Sequence, residues 1–215
     1  MAEAKMKKQY RGCSRLHFAI RTIDKDGAVT YGTPTPLAKC KTVSATVEQS
    51  SEGVFADNKK QYTNKSGVND VRTFDTFPIP EEVLAVLFDD TIVKVADTVA
   101  YGINPDAEDV EVGIGYALHD GKEDEPCELV WAFRAIAQKR PDTTSNTITT
   151  TDTASEGQQI AFDILTPEKA WAKTKKKNPA IRVPVTSAID VDKWFAQVVT
   201  WDNIEELFPA QAQTT

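Results

Sequence analysis

Alternation of large apolar residues with polar or small ones is the main pattern along this chain. Within residues 110–118 (VEVGIGYAL), every second side chain from Val110 to Leu118 is large and apolar. A period of two also runs through residues 15–23, 41–49, 128–138 and 158–165. Successive side chains of a strand point to opposite faces, so this period predicts strands with one buried and one polar face. We therefore expect a mainly β chain with a half-buried antiparallel sheet.

Only two stretches have a helical pattern. Residues 78–90 (PIPEEVLAVLFDD) put Pro80 at a helix start, followed by two glutamates that suit the helix dipole. The apolar stripe of this helix would consist of Val83, Leu84, Leu87 and Phe88. Residues 187–208 predict one or two short helices, capped by Asp190 or Asp202. Residues 166–184, between prolines and rich in lysine, have the pattern of a basic loop.

Two long polar segments separate predicted strands. Residues 49–68 contain two aromatic residues, Phe55 and Tyr62, as possible anchors against a neighbouring molecule. Loops of this length are uncommon inside compact domains and usually carry a function. Residues 141–157 are rich in threonine, which favours the exposed part of a long hairpin or arm, with a disordered linker as the alternative.

Charge is unevenly distributed along the chain. The net charge is −7, and residues 75–129 hold fifteen Asp and Glu against two lysines. Residues 1–25, in contrast, hold seven Lys and Arg against two acidic residues. This imbalance indicates either solvated faces or a surface built with one sign of charge. The three cysteines have no regular spacing, so a disulfide framework is not expected and a reducing compartment fits better.

Motifs for catalysis are missing. The two histidines, His17 and His119, have no carboxylate or cysteine at metal-binding spacing. No serine lies in a G-x-S-x-G turn, and Gly113 and Gly115 lie inside a strand pattern, where they indicate close packing or a bulge. We therefore expect no enzyme, no cofactor and no metal. The chain also has no apolar run of membrane-spanning length and no signal-peptide pattern at its start.

The order of elements resembles the major tail tube proteins of long-tailed bacteriophages. The resemblance covers residues 10–165, beginning with the strand GCSRLHFAIRTID. Its most specific parts are a VSATVE strand followed by EGVFADN, and a GYALHDG…WAFRA hairpin followed by a Thr/Ser-rich segment. The chain would then consist of a tail-tube domain, residues 1–165, and an extension of short helices and a basic loop, residues 166–215, packed on the same domain.

The resemblance implies an antiparallel β-sandwich or partial barrel with one flanking helix. Six copies would form a ring, and stacked rings would form the tail tube of a virion, assembled in the bacterial cytoplasm. DNA would pass through this tube without specific binding. Further partners would be the tape measure, tail terminator and distal tail proteins, with no membrane contact. Exposed strand edges and head-to-tail pairing agree with such a polymer.

Two groups of residues would serve this assembly. Residues 49–68 match the position of the loop with which a tail tube subunit reaches its neighbour, mobile in the monomer and ordered in the tube. Its contact residues would be Glu52, Phe55, Asp57, Asn58 and Tyr62. A wall that conducts DNA should be acidic, because like charge opposes binding. The polar strand positions expected to face the lumen are Glu48, Glu111 and Asp163.

Two alternatives belong to other functional classes. A monomeric β-sandwich module at a virion or cell surface would bind carbohydrate or protein through exposed Trp171, Trp194 and Trp201. Packing in a core or an interface equally explains these tryptophans. A hydrolase is the other alternative, opposed by the missing nucleophile. Rings or tubes seen by microscopy would favour the tube subunit, and a stable monomer the binding module.

Overall fold

Antiparallel strands dominate the structure, a computed structural model that describes residues 10–56, 59–121, 125–141 and 157–209. Over residues 49–56 and 59–69 it describes the backbone alone. The strands are β1 (Gly12–Ile23), β2 (Val29–Tyr31), β3 (Thr35–Ala38), β4 (Cys40–Ala56), β5 (Lys59–Thr76), β6 (Thr91–Val95), β7 (Thr98–Gly102), β8 (Val112–His119), β9 (Glu128–Ala137), β10 (Gln158–Ile164) and β11 (Ala180–Pro184). The helices are α1 (Glu81–Leu87), α2 (Val191–Ala196) and α3 (Ile204–Leu207). The expectation of a mainly β, antiparallel chain is confirmed.

One large sheet has the strand order β2-β1-β8-β9-β10-β5-β4. β3 pairs with β1, and β11 pairs with the first half of β9, whose second half pairs with β10. A disulfide joins Cys13 of β1 to Cys40 of β4, with their Cα atoms 5.8 Å apart. Because β4 ends the strand order and β1 lies near its beginning, the sheet curls until these strands meet. The result is the expected partial barrel.

This disulfide differs from the expectation drawn from cysteine spacing. Cys13 and Cys40 are separated by 27 residues, and the fold alone brings them together. Cys127 is not part of a disulfide. Irregular spacing therefore hid a single structural cross-link, because strand pairing between distant segments decides which cysteines meet.

Strands β8 and β9 are buried on both faces, whereas an alternating pattern predicts one buried face and one exposed face. On the inner face, Ile114 and Val130 belong to the core inside the barrel. On the outer face, Trp131 and Phe133 belong to a second core. A Cβ atom at Gly115 would lie 2.7 Å from the Trp131 ring, so the close packing expected at this glycine is confirmed.

The second core is completed by the C-terminal residues. β11 pairs with β9 so that Ile181 lies opposite Trp131. α2 adds Trp194 and Phe195, both buried against the outer face of β9. The predicted basic loop at 166–184 is therefore only partly correct, because its last residues form a strand of the sheet. Their pairing partner lies some fifty residues earlier in the chain, so local sequence gave little indication of it.

The two predicted cap residues have different roles. The Asp190 carboxylate accepts hydrogen bonds from the backbone N–H groups of Asp192 and Lys193, and so caps α2. The Asp202 carboxylate instead accepts from the N–H groups of Ala172 and Lys173. Asp202 therefore does not cap a helix. It links the lysine-rich loop, which lies within the predicted basic loop at 166–184, to the residues before α3.

The helix predicted from residues 78–90 is α1, which begins after Pro80. Val83, Leu84 and Leu87 are buried in the barrel core, as their spacing indicates. The sequence pattern did not predict the hairpin that follows, in which β6 and β7 form a separate two-stranded sheet. The threonine-rich segment lies almost entirely outside the described residues.

Candidate assembly surfaces

Strands β4 and β5 continue past the rest of the sheet as a two-stranded ribbon. Their ladder runs from the Cys40–Thr76 pair to the Ala56–Lys59 pair. β10 pairs with β5 only as far as Asp70. Among the described residues, no further strand pairs with 49–56 or 59–69, which we call the arm. At about 3.3 Å per residue, strand 49–56 alone extends roughly 26 Å.

The arm corrects the prediction of a long loop at residues 49–68. The backbone there is paired, with Glu52 opposite Asn64 and Val54 opposite Tyr62. Phe55 also lies on the ladder, close to the tip, and Asp57 and Asn58 lie outside the described residues. A polar composition without a period of two concealed these strands. That the named residues contact a neighbouring molecule stays a prediction.

The outward side of β4, β5 and β10 is a polar surface. On these strands Phe74 and Phe162 point into the barrel core, so their sequence neighbours point outward. The ladder aligns Thr46, Val71 and Asp163 in one row across the three strands. The outer polar face, as we call it, is formed mainly by Thr42, Ser44, Thr46, Glu48, Thr73, Asp75, Gln159 and Asp163.

Two predicted lumen residues, Glu48 and Asp163, lie together on the outer polar face. Glu48 is exposed and follows Thr46 by two residues, so both point to the same side of β4. The Asp163 carboxylate accepts a hydrogen bond of 2.7 Å from the Gln138 side chain. A neutral amide holds this carboxylate, so its negative charge is not cancelled by that contact.

Asp75 adds a third carboxylate to the outer polar face. It accepts hydrogen bonds from the Thr42 hydroxyl and the Gln159 amide. The bond from Thr42, followed by that from Gln159, holds the pKa of Asp75 below its usual value, and Lys41 contributes less. Asp75 therefore stays ionised to a lower pH than an unpaired aspartate, which keeps the face acidic.

Glu111, the remaining predicted lumen residue, takes part in an ion-pair network. It contacts Arg21, whose side chain is 2% exposed, and Arg134, whose Nε donates to the carboxylate at 2.8 Å. Glu168 joins both arginines, at 2.5 Å from Arg21 and 2.9 Å from Arg134. The network ties β1 and β9 to the C-terminal segment. Sequence reasoning missed it because its members are up to 147 residues apart.

The predicted tryptophan platform is not an exposed surface. Trp194 is fully buried. Trp171 and Trp201 are half-buried and pack against the second core. The indole N–H of Trp171 donates to the Asn178 carbonyl at 2.9 Å. Packing in a core therefore explains the positions of these tryptophans, which is the alternative to a binding platform given in the sequence analysis.

Within the described ranges, no group of three or more His, Cys, Asp and Glu side chains is arranged to hold a metal ion. In the same part of the chain, no helix has the length and apolar character to cross a membrane.

No family model matches the sequence, and no curated protein matches it as a relative. Solved structures that resemble its fold include three assemblies related to injection systems. One is described as the sheath-tube complex of an extracellular contractile injection system, PVC, in the extended state. It has 12% identity and a TM-score of 0.39, and the alignment covers 80% of this chain and 89% of that chain.

The other two structures belong to the anti-feeding prophage, AFP. Its tube terminating cap has 11% identity and a TM-score of 0.38, with 80% of this chain and 89% of that chain covered. Its baseplate has 7% identity and a TM-score of 0.35, with 79% and 93% covered. None of the three is described as a tail of a long-tailed bacteriophage, the group that the sequence resembles.

Proposed function

We propose that this chain is a structural subunit that assembles with copies of itself into a hollow, tail-like tube. The ring of six subunits and the stacking of rings come from the sequence resemblance. The arm is the observation that carries the proposal. Among the described residues no further strand pairs with the arm, so a neighbour could complete it, and the simplest neighbour for a subunit of a polymer is another copy.

The reason lies in the weakness of isolated ribbons. A two-stranded ribbon is marginally stable in water, because it exposes both of its edges and buries little apolar surface. The ribbon of β4 and β5 continues for eight ladder pairs, from Glu48–Asn69 to Ala56–Lys59, beyond the last pair between β5 and β10. Pairing or packing against a second molecule would stabilise it.

The outer polar face supplies the wall of the proposed bore. Glu48, Asp75 and Asp163 give it negative charge, and its other described positions are mainly small or hydroxylated. A polyanion near such a wall meets like charge and few groups that could bind it. DNA would then move along the bore without being retained. No enzymatic step is part of this proposal.

Sedimentation velocity and negative-stain microscopy test the assembly. The full chain is expected to form rings or tubes as its concentration rises. Successive residues of an antiparallel strand donate alternately to the paired strand and away from it, so prolines at the adjacent Gly53 and Val54 remove one ladder hydrogen bond and should abolish tubes while the barrel stays folded. The matched control places alanine at both positions. A monomer that persists at about 1 mM, where even weak contacts form, would contradict the proposal.

Co-sedimentation of tubes with DNA tests the acidic wall. The Glu48→Lys/Asp163→Lys variant should retain DNA at about 0.1 M salt, where charges still interact over roughly 10 Å. Glu205→Lys/Glu206→Lys makes the same charge change on α3 and serves as the control. Equal DNA retention by the two variants would show that the outer polar face does not line the bore.

A further inference from the structure

A pocket lined with arginines lies among β1, β4, β5, β8 and β11. It has a volume of about 440 Å³, and its lining includes Arg11, Arg72 and Arg182 together with the apolar side chains of Val43 and Leu118. No carboxylate is among the described residues that line it. We call this cavity the arginine pocket. Its composition suits a ligand that combines negative charge with an apolar group.

The arginines differ in how firmly they are held. Arg72 donates from Nε and Nη2 to the Asp70 carboxylate, at 2.7 and 2.8 Å, and from Nη1 to the Tyr116 hydroxyl at 2.9 Å. The Nε of Arg182 donates to Glu128 at 2.5 Å. Arg11 forms no ion pair within the described part of the chain. Arg11 is therefore the pocket arginine best placed to pair with a carboxylate from another molecule.

An exposed acidic loop precedes strand β8, at the end of that strand opposite to the arginine pocket. Residues 103–109 (INPDAED), the acidic loop, connect β7 to β8 and contain Asp106, Glu108 and Asp109, all exposed. Ile103 is 74% exposed, and the adjoining β6–β7 hairpin exposes Ile92, Val93 and Val95 by about half. Within the described residues, none of the three loop carboxylates forms an ion pair.

Strand β8 separates the two features within one molecule. The acidic loop precedes Val112 at its beginning, while Leu118 near its end lines the arginine pocket. Six residues of strand correspond to roughly 20 Å. One copy thus presents exposed carboxylates before the beginning of β8 and an arginine-lined pocket near its end, which suits a head-to-tail contact between copies.

We propose that the arginine pocket of one copy receives the acidic loop of a second copy, with Ile103 and the exposed hairpin packing beside it. This inference rests on the proposed self-assembly and specifies one of its contacts. Residues 1–9, which directly precede the pocket-lining Tyr10, carry three lysines and one glutamate, so their charge is wrong for this pocket. The acidic loop has the required sign and the required apolar residue.

Charge reversal in sedimentation equilibrium tests the contact. The loop variant Asp106→Lys/Glu108→Lys/Asp109→Lys and the pocket variant Arg11→Glu/Arg182→Glu should each associate about tenfold more weakly than the unchanged chain. An equimolar mixture of the two variants should regain association, because every loop then finds an oppositely charged pocket. If the pocket variant fails to fold, Arg11→Glu alone replaces it, since Arg11 has no ion pair to lose in the described structure.

The lysine-rich loop provides the matched control. Lys175, Lys176 and Lys177 are exposed, and their reversal to glutamate changes charge away from the pocket. This variant should associate like the unchanged chain. Restoration of the loop variant by the lysine variant, but not by the pocket variant, would place the acidic loop elsewhere and overturn the inference.

Two further outcomes separate this inference from the proposed function. If the unchanged chain does not associate, the proposed function itself fails. If it associates and neither the loop variant nor the pocket variant weakens it, only the inferred contact is wrong.

Discussion

The indole N–H of Trp131 donates a hydrogen bond to the main-chain carbonyl of Trp194 at 3.2 Å. Both side chains are fully buried, although 63 residues separate them in the sequence. Trp131 lies in the middle of the sheet and Trp194 on a short helix of the C-terminal segment. This segment is therefore part of the packed fold and covers one face of β9.

Loss of the Trp194 side chain should destabilise the whole protein. We expect Trp194→Ala to lower the free energy of unfolding by about 3–5 kcal/mol, because a large cavity remains beside Trp131. Urea unfolding followed by circular dichroism measures the change. Lys176→Ala, an exposed position of the same segment, is the control and should have almost no effect. A loss below about 1 kcal/mol for Trp194→Ala would indicate that the segment is dispensable.

Gly115→Ala should be destabilising although it adds only a methyl group. The new Cβ atom would lie 2.7 Å from the Trp131 ring, which cannot move within its packed surroundings. We expect a loss of about 1–3 kcal/mol from overpacking. Gly102→Ala is the control, because the nearest atom to its added Cβ would be 3.8 Å away. Similar effects of both substitutions on thermal unfolding would argue against the packing described for β8.

The disulfide should contribute measurably to stability. Cys40→Ser opens the cross-link between β1 and β4, and we expect a loss of about 3 kcal/mol for a loop of this size. Cys127→Ser alters the cysteine outside the disulfide and is the matched control. A reducing agent should produce the same loss in the unchanged chain and none in Cys40→Ser. Stability that is insensitive to the reductant would contradict the bond.

The hydrogen bond from Thr42 should make stability depend on pH. The pKa of Asp75 is lower in the folded than in the unfolded state, so its contribution is full above the unfolded pKa. It is lost as the pH falls through the folded pKa. Thr42→Val should therefore be less stable than the unchanged chain at about pH 7, with the difference shrinking as the pH falls below the unfolded pKa of about 4. Thr46→Val, on the same face, should show no such pH dependence.

Sequence reasoning was strongest where local pattern and local structure coincide. The alternation in residues 110–118 and the apolar stripe of α1 predicted real elements, because period and burial are set within a few residues. The arm was missed since polar strands lack that period. β11 was missed because its pairing with β9 depends on contacts between distant segments.

The positions of the candidate residues in the fold were predictable only in part, for related reasons. Glu48 and Asp163 share the outer polar face because each occupies an outward position on a strand, and alternation indicates such positions. Glu111 also occupies a polar position of an alternating segment, but it forms ion pairs with Arg21 and Arg134. Those two arginines are distant in sequence, so no local pattern indicates the pairs. The arginine pocket combines three separate chain segments, and therefore had no signal in the sequence.

The dependence of β9 on a late segment has a consequence for synthesis. During translation, β9 leaves the ribosome well before residues 180–208. Trp131 and Phe133 therefore stay exposed to solvent until those residues have been synthesised and can pack against them. Nascent chains and chains truncated before this segment therefore expose an aggregation-prone apolar surface that is buried in the folded protein. Productive expression should depend on slow growth, low temperature or a chaperone that shields this surface until the last helices close over it.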